Sequence, residues 1–362
     1  MNLTVLDKNF NAVLIIDSYQ SLIWTDRYWA CGDFELYTSV DTTLLESVKC
    51  DYYLTSPESD RIMCIDTIRI STDTESESNM TFQGYSLEKI LSRRIIWGYM
   101  KFEDQNPQDV IESLLNDCII DPTSNNRPER ASRKIENFRF KKSTDSAITE
   151  LKGITVEYSG DNLYDVVADI CKTNKIGFKI TLDYENGSPV FIFELYAGKD
   201  RSYNQETNSY VIFSPDFDNL ITSNYMETNA SLRNVAIVGS KGSLDTRTYT
   251  EVDLVNATGI DRRELFVDAR DMVSTDNTTM EQRGKERLAE YEDVSSFEGQ
   301  AETRHMFKYE QDFFVGDIVQ FADGYGHEAS ARIVEMITAD GNDGLSVYPT
   351  FETIQKEESK AE

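Results

Sequence analysis

The sequence predicts a mainly β, multi-domain fold with α+β insertions. Many short segments alternate apolar and polar residues and are bounded by turn-forming residues, which is typical of strands. Only three or four modest helical patterns interrupt them, and these do not alternate with the strands as they would in a doubly wound fold. The 362 residues are enough for two to four domains, at roughly 100–200 residues each.

We expect four regions along the chain. Residues 1–100 are predicted to form a β-rich, barrel-like domain, and residues 101–205 an α+β insert with helices and a hairpin. Residues 206–355 are predicted to form a second β-rich, barrel-like region, which can be discontinuous with the first. Residues 356–362 form a polar tail that we expect to be frayed.

The first region contains a predicted hairpin, a long strand and a short helix. Leu3–Leu6 and Ala12–Asp17 flank a turn rich in Asp and Asn. From Arg61 to Ile70 the apolar residues follow a strand pattern that Asp66 interrupts. Helical spacing of apolar residues from Leu87 to Leu91 predicts the helix.

The insert contains two predicted helices and an arginine-rich loop. One helix begins after Asn106, because Asn is a good N-cap and Pro107 suits the first helical position. The other is predicted over Asn162 to Asn174, with apolar residues along one face. Between them, Asp121 to Lys134 is predicted to be an exposed loop.

The insert ends in a predicted hairpin, and the last region mixes strands with one helix. Phe178–Asp183 and Val190–Tyr196 are joined by a turn that contains Asn186-Gly187, a strong hairpin signal. Thr278 to Tyr291 predicts a charged helix. Phe297 to Phe351 predicts a strand-rich unit.

The chain is strongly acidic: 36 Lys plus Arg against 64 Asp plus Glu give a net charge of −28. Such a surface repels phosphate backbones and anionic membranes, because affinity for both comes mainly from Lys and Arg. We therefore expect no stable nucleic-acid binding, although a wall past which DNA slides without sticking is physically sensible. Hydrophobic residues make up 40% of the chain, which is enough to bury cores and argues against a disordered protein.

The N-terminal residues and the cysteines indicate a protein synthesised in a cytoplasm. The N-terminal residues lack the basic and long apolar segments of a signal peptide. The longest apolar run there, Ala12 to Ile16, is also too short to span a bilayer, so we expect no membrane span. The odd number of widely spaced cysteines predicts reduced, mostly buried thiols. They are Cys31, Cys50, Cys64, Cys118 and Cys171.

No recognised catalytic motif occurs in the sequence. A Ser-His-Asp triad would have to use His305 or His327, and no nucleophile elbow accompanies them. Walker and dinucleotide-binding loops are missing. Asp340 to Gly344 resembles part of a calcium loop but lacks the closing glutamate, so we predict a turn between strands. We therefore expect no cofactor, no metal and no enzymatic activity.

Four groups of short sequence segments follow one another over most of the chain. Each segment alone is too short to indicate a family. They are Leu3–Asp7 with Asp17–Tyr28 and Gly32–Leu36; Gln83–Leu87 with Ile90–Ile96; Lys175–Lys179 with Gly198–Ser202 and Val211–Ser214; and Gly316–Val319. In this order they resemble the hub, or tail-associated, proteins at the tail tip and baseplate of long-tailed phages of Gram-positive bacteria.

The resemblance implies a virion structural protein, made in the bacterial host and placed at the tail tip. In such hubs, two tail-tube-like β-barrel domains per chain carry discontinuous inserts, and a homotrimer offers six barrels to a six-fold tube. The remaining domains close or extend the DNA channel. The expected partners are the chain itself, the tail tube or distal tail protein, the tape-measure protein, and a tip fibre or lysin.

Many relatives carry a C-terminal extension that cleaves peptidoglycan or binds a host receptor. Because this chain stops shortly after Phe351, we expect neither activity from it.

Exposed aromatic residues and the glycine-containing strings are the candidate interface and structural positions, with Trp24, Trp29 and Trp97 expected as exposed anchors. The full set is Trp24, Tyr28, Trp29, Gly32, Phe34, Trp97, Gly316 and Asp317.

Two alternatives stay open. A carboxylate-dependent glycoside or cell-wall hydrolase would need a cleft with two facing acids, and the 64 acidic residues make such pairs common by chance. A monomeric glycan-binding module would stack sugars on the aromatics between Trp24 and Trp29, although aromatics on strands more often fill a core or pack between subunits.

Overall fold

The computed structural model describes residues 1–72, 78–124, 126–242, 245–272, 277–291, 294–301, 306–322, 328–342 and 344–353. Over these residues the chain forms 21 strands in four sheets and five α-helices, so the predicted mainly β fold with α+β insertions is confirmed. His305, His327, Asp343 and the predicted tail 356–362 lie outside the described residues.

The strands are β1 (Leu3–Leu6), β2 (Ala12–Ile16), β3 (Ser21–Arg27), β4 (Asp33–Ser39), β5 (Tyr53–Ser56), β6 (Ser59–Ser71), β7 (Asn79–Ser86), β8 (Tyr99–Gln105), β9 (Phe138–Lys141), β10 (Ile154–Ser159), β11 (Gly177–Glu185), β12 (Ser188–Tyr196), β13 (Ile212–Phe213), β14 (Leu220–Thr228), β15 (Val235–Gly239), β16 (Tyr249–Asp253), β17 (Glu264–Asp268), β18 (Val294–Ala301), β19 (Ile318–Ala322), β20 (Glu328–Gly341) and β21 (Ser346–Thr353).

The α-helices are α1 (Thr42–Ser47), α2 (Pro107–Leu115), α3 (Ser146–Thr149), α4 (Leu163–Thr173) and α5 (Asn277–Leu288). Short 3-10 turns cover Leu87–Arg93, Pro128–Arg133, Pro215–Phe217, Gly259–Asp261 and Ala289–Tyr291, and a π turn covers Asn116–Ile120.

The largest sheet joins the two ends of the chain. Its main path runs β14-β18-β21-β20-β3-β4-β7-β6-β5-β1-β2, with β19 and then β13 branching from β20. The long strand β20 pairs first with β19 and then with β3. Strands from residues 1–100 and from residues 206–355 therefore belong to one sheet, whereas β15–β17 form a separate sheet. Within the described residues this path does not close on itself, so the expected barrels are an open sheet.

Four hydrophobic clusters form the core of the described residues. The first lies under the N-terminal strands, the second packs α2 and α4 against β8–β12, the third lies among the C-terminal strands, and the fourth lies between α5 and the β16-β15-β17 sheet. The predicted region 206–355 therefore contains two cores, because β15–β17 and α5 bury their apolar faces against each other.

The predicted helices and hairpins form largely where expected. The side chain of Asn106 caps α2 by accepting the Gln108 N–H, and that of Asn162 caps α4 by accepting the Tyr164 N–H. Strands β1 and β2 form the first hairpin, and Asn186-Gly187 joins β11 to β12. The predicted break at Asp66 is a bulge in the pairing of β6 with β7.

The expectation that Asp121 to Lys134 is an exposed loop is wrong at Arg130. This side chain is buried, pairs with the buried carboxylate of Asp117 at 3.0 Å, and donates to the Trp97 carbonyl at 2.6 Å. Arg127 pairs with the same carboxylate. Asp117 stands in the π turn after α2, and its charge draws the loop inward because a buried carboxylate requires a cationic partner.

The cysteine prediction is confirmed for the buried thiols. All five cysteines are free, four of them are buried, and Cys50 is exposed. Within the described ranges, no helix has the length and apolar character needed to cross a bilayer.

Gly284 allows α5 to pack closely on the small sheet, and its substitution tests that contact. A Cβ there would lie 2.6 Å from Val252 Cγ2 and 3.0 Å from Val238 Cγ2. We expect Gly284→Val to lower the free energy of unfolding by about 1–3 kcal/mol through overpacking, measured by urea denaturation. Lys285→Val places the same side chain on the exposed face of α5 as a control. An equal loss in both variants would contradict the close contact.

Candidate functional site

Tyr28 lies where three parts of the chain meet: the end of β3, the β11–β12 hairpin and the turn before β19. Its side chain is fully buried. The hydroxyl accepts the Gly198 N–H at 3.1 Å and donates to the Lys175 carbonyl at 3.1 Å. Its backbone accepts from Phe178 and donates to the Val334 carbonyl. One residue thus connects the N-terminal sheet, the insert and the C-terminal strands; we call this the Tyr28 junction.

Glycine is required at the closest approach to Tyr28. Gly316 has a φ of +99°, and a Cβ there would overlap the Tyr28 ring. A Cβ on Gly198 would overlap the Gly316 carbonyl. The Arg332 guanidinium lies over the Tyr28 ring, 5.4 Å from its centre, and donates to the Gly316 carbonyl at 2.7 Å. The junction therefore has no space for a side chain at these glycines.

Asp317 fixes the linker that follows β12. Its carboxylate accepts the Lys199 N–H at 2.7 Å, Arg201 Nε at 2.6 Å and the Phe314 N–H at 3.1 Å. Asp317 and Arg201 are both buried, and each neutralises the charge of the other. The two sequence strings that contain them, Gly198–Ser202 and Gly316–Val319, are therefore direct neighbours.

A second buried ion pair lies beside the first. Arg61 Nη1 contacts Glu88 Oε1 at 2.5 Å, and Nη2 donates to the Tyr196 hydroxyl at 3.0 Å. Glu88 Oε1 also accepts the Ile180 N–H at 3.0 Å, which ties the first region to the hairpin. A cavity of about 380 Å³ separates the two ion pairs and is lined by Arg61, Tyr196, Gly198, Glu310 and Asp317, among others.

Two carboxyl groups near this cavity have raised pKa values. Burial raises the pKa of Asp26 to about 6, against the opposing effects of Arg61 and of the Tyr309 hydroxyl, which donates to Asp26 at 2.9 Å. Burial, together with the negative charges of Asp26 and Asp60, raises the pKa of Glu310 to about 8. Both residues also line a cavity of about 720 Å³ beside Trp24.

Trp24, Gly32 and Phe34 lie in the N-terminal core. Trp24 is 1% exposed, so the expectation that it is a surface anchor is wrong. The reason is that Trp24 packs into the N-terminal hydrophobic cluster beside Phe34, together with apolar side chains of β1 to β7. The Gly32 N–H donates to Ser86 Oγ at 2.7 Å.

The other two tryptophans are more accessible. Trp29 is half-buried between the insert core and the C-terminal core, with the Lys175 ammonium 5.5 Å from its ring centre. Trp97 is 47% exposed, as predicted. Tyr28, Gly316 and Asp317 meet at the junction, whereas Trp24, Gly32, Phe34 and Trp97 lie elsewhere.

Arg201 of the first buried pair, and both Arg61 and Glu88 of the second, were not among the candidate residues from the sequence. Arg201 stands inside the string Gly198–Ser202, so its position near a glycine-containing turn was the available signal. Arg61 and Glu88 are 27 residues apart and carry no local pattern. No group of three or more His, Cys, Asp or Glu side chains in the described ranges could hold a metal ion. The calcium-like segment from Asp340 joins β20 to β21.

A family model for the Siphovirus ReqiPepy6 Gp37-like protein matches residues 2–351. The chain belongs to this family. No curated protein sequence is significantly similar to it.

The Gp37-like chain has the fold of solved phage tail proteins. It is similar to the 43 kDa tail protein of prophage MuSo2 from Shewanella oneidensis, at 10% identity and a TM-score of 0.58 over 97% of this chain and 98% of that one. The tail protein from Neisseria meningitidis MC58 has 10% identity and a TM-score of 0.56, over 97% and 95% of the two chains. Prophage tail protein gp18 from Listeria monocytogenes EGD-e has 11% identity and a TM-score of 0.50, over 98% and 95%. The resemblance to phage tail proteins is confirmed.

The buried pair at Asp317 is expected to stabilise the Gp37-like chain strongly. Asp317→Asn leaves the buried Arg201 without a counter-charge, and we expect a loss of about 3–5 kcal/mol in the free energy of unfolding. The control Asp109→Asn breaks an exposed pair with Lys142 and should cost less than about 1 kcal/mol. Urea denaturation of both variants measures the difference, and similar losses would contradict the network.

Glu310 is expected to make stability depend on pH. Its pKa in the folded chain lies above the ordinary value of 4.5, so folding favours the protonated form, and stability is lost as pH rises from about 4.5 through about 8. Glu310→Gln removes this loss. The difference in the free energy of unfolding between this variant and wild type should therefore increase from about pH 4.5 to about pH 8 and stay constant at higher pH. Unfolding curves from pH 4 to 9 measure this, with exposed Glu129→Gln as the control; a pH-independent difference would contradict it.

Proposed function

We propose that this chain is a structural hub at the distal end of a phage-type tail. In this proposal three copies form a ring or cup that joins the tail tube to the tip and lines or closes the DNA channel. Its partners are the tube or distal tail protein, the tape-measure protein, and a tip fibre or lysin. The chain acts by assembly and catalyses no reaction.

One observation carries the proposal: the fold is similar to prophage tail proteins over nearly the whole length of both chains. An end-to-end match means that the sheet, the insert and the small α5 unit are all shared, and not one common module alone. The family match over residues 2–351 supports the same conclusion. The junction adds a physical reason, because a subunit that transmits load needs its parts locked together.

The charge fits a channel wall. At −28 the chain repels the phosphate backbone, so DNA can pass a surface of this kind without being held. We propose that carboxylates line the inner wall of the ring. A trimer structure with a basic or neutral lumen would contradict this part of the proposal.

A glycan-binding module and a hydrolase would each need a residue that is buried. A glycan-binding module would stack sugars on Trp24, but that side chain lies inside the N-terminal core. A hydrolase would use the neighbouring carboxyl groups of Asp26 and Glu310, but Asp26 is 3% exposed and one of its carboxylate oxygens accepts from the Tyr309 hydroxyl. The more buried of the two acids therefore presents little surface to a substrate.

The mass of the purified chain in solution tests the proposal. Sedimentation equilibrium across a concentration series should show a monomer of 41.4 kDa in reversible equilibrium with a species three times heavier. Adding the tube or distal tail protein should shift the equilibrium towards the trimer, because a six-fold template stabilises the closed ring. A chain that stays monomeric at all concentrations and with that template would contradict the hub.

A further inference from the structure

An exposed face around Trp97 combines apolar and cationic side chains. Ile95 and Trp97 are both largely exposed. The guanidinium groups of Arg130 and Arg133 lie 4.8 and 5.7 Å from the Trp97 ring centre. Arg94 donates through Nε to the Arg133 carbonyl at 3.1 Å. We call Arg94, Ile95, Trp97 and Arg133 the Trp97 face.

Two arginines of the Trp97 face lack a carboxylate partner. Arg130 pairs with Asp117, but among the described residues Arg94 and Arg133 form no ion pair. Arg133 Nη2 donates to the Ile95 carbonyl, whereas its Nη1 is buried and does not face solvent. Burial and the nearby positive charges of Arg133 and Arg93 lower the pKa of Arg94. The face therefore concentrates positive charge that nothing within the described chain neutralises.

This arrangement is matched to carboxylates from outside the chain. A guanidinium donates charge-assisted hydrogen bonds to a carboxylate through those of its N–H groups that face outward. Arginine and tryptophan are also the residues that most often dominate interface energies. In a chain of net charge −28, copies repel one another, so a contact between them needs positive surface on one side.

The same chain presents a complementary segment at another place. Phe217 is 46% exposed on the turn Pro215–Phe217, and it stands between the exposed Asp216 and Asp218. Neither aspartate forms an ion pair among the described residues. The segment thus offers one aromatic ring between two carboxylates, where the Trp97 face offers one aromatic ring beside two guanidiniums.

We propose that the Trp97 face of one copy docks the Asp216-Phe217-Asp218 segment of a second copy. Arg94 and Arg133 bind the two carboxylates, and Trp97 packs against Phe217. The two surfaces are different, so the contact is head-to-tail, which is the kind that closes into rings. The inference rests on the proposed ring and names the contact that forms it.

A charge-reversal experiment tests this pairing by sedimentation equilibrium. We expect R94E/R133E and D216R/D218R each to weaken trimer formation at least tenfold, because each places like charges opposite one another. The four substitutions combined should restore association to within about threefold of wild type, since the charges are opposite again but exchanged. The weakening should shrink as salt is raised.

The matched control is R139E/R270E. It makes the same charge change at exposed arginines that already pair with Glu185 and Asp268 inside the chain. We expect this control to weaken trimer formation much less, because it only adds to the general repulsion between negatively charged copies. Circular dichroism and the urea midpoint confirm folding. Should R94E/R133E fail to fold, R94Q/R133Q removes the charges without reversing them and should still weaken the trimer at least fivefold.

Four outcomes would overturn the inference. If wild type is trimeric and R94E/R133E weakens it no more than the control does, the Trp97 face is not the contact, while the ring stands. If the combined variant does not recover, the occupant is not the Asp216–Asp218 segment. If wild-type chain binds duplex DNA and R94E/R133E abolishes that binding, the face is a phosphate site. A wild type that never associates contradicts the ring itself and this contact with it.

Discussion

The structure depends on one packing constraint. The ring and hydroxyl of Tyr28 fill their site so completely that no further side chain fits beside them. Gly316 approaches the ring, and Gly198 approaches Gly316, so three segments distant in sequence reach contact distance. The hydroxyl accepts the Gly198 N–H and donates to the Lys175 carbonyl, so it bonds to two further segments. The large sheet, the insert and the C-terminal strands are therefore held in one arrangement by contacts that none could make alone.

Charge is arranged differently inside and outside the molecule. Inside, the Asp317–Arg201 pair joins the C-terminal strands to the insert, and the Arg61–Glu88 pair of the first region bonds to Tyr196 and Ile180 of the insert. Outside, the excess of carboxylates keeps copies and DNA apart. In the proposed ring, copies associate through the Trp97 face, where Arg94 and Arg133 form no ion pair among the described residues. Buried ion pairs would then stabilise each subunit, and exposed arginines would select its neighbour.

The sequence predicted correctly those elements that are determined by residues close to one another in the chain. Helices α2 and α4 and the β11–β12 hairpin have caps, apolar stripes and turn residues within a few positions, and all three form as expected. The prediction from the sequence failed where contacts with residues elsewhere in the chain determine whether a side chain is buried. Trp24 is buried because its side chain packs among apolar residues that β1 to β7 bring together, and Arg130 is buried because it pairs with Asp117. Tyr28, Gly316 and Asp317 were identified as important, but their mutual contact required the fold.

The Tyr28 junction couples three regions into one cooperative unit. Hydrogen–deuterium exchange of wild type and Tyr28→Phe measures this coupling at segments 24–30, 175–180 and 314–318, one from each region. We expect that loss of the hydroxyl accelerates exchange in all three segments together, and leaves the small sheet of β15–β17 unchanged. Acceleration confined to one segment, or none at all, would contradict the claim that this contact holds the regions together.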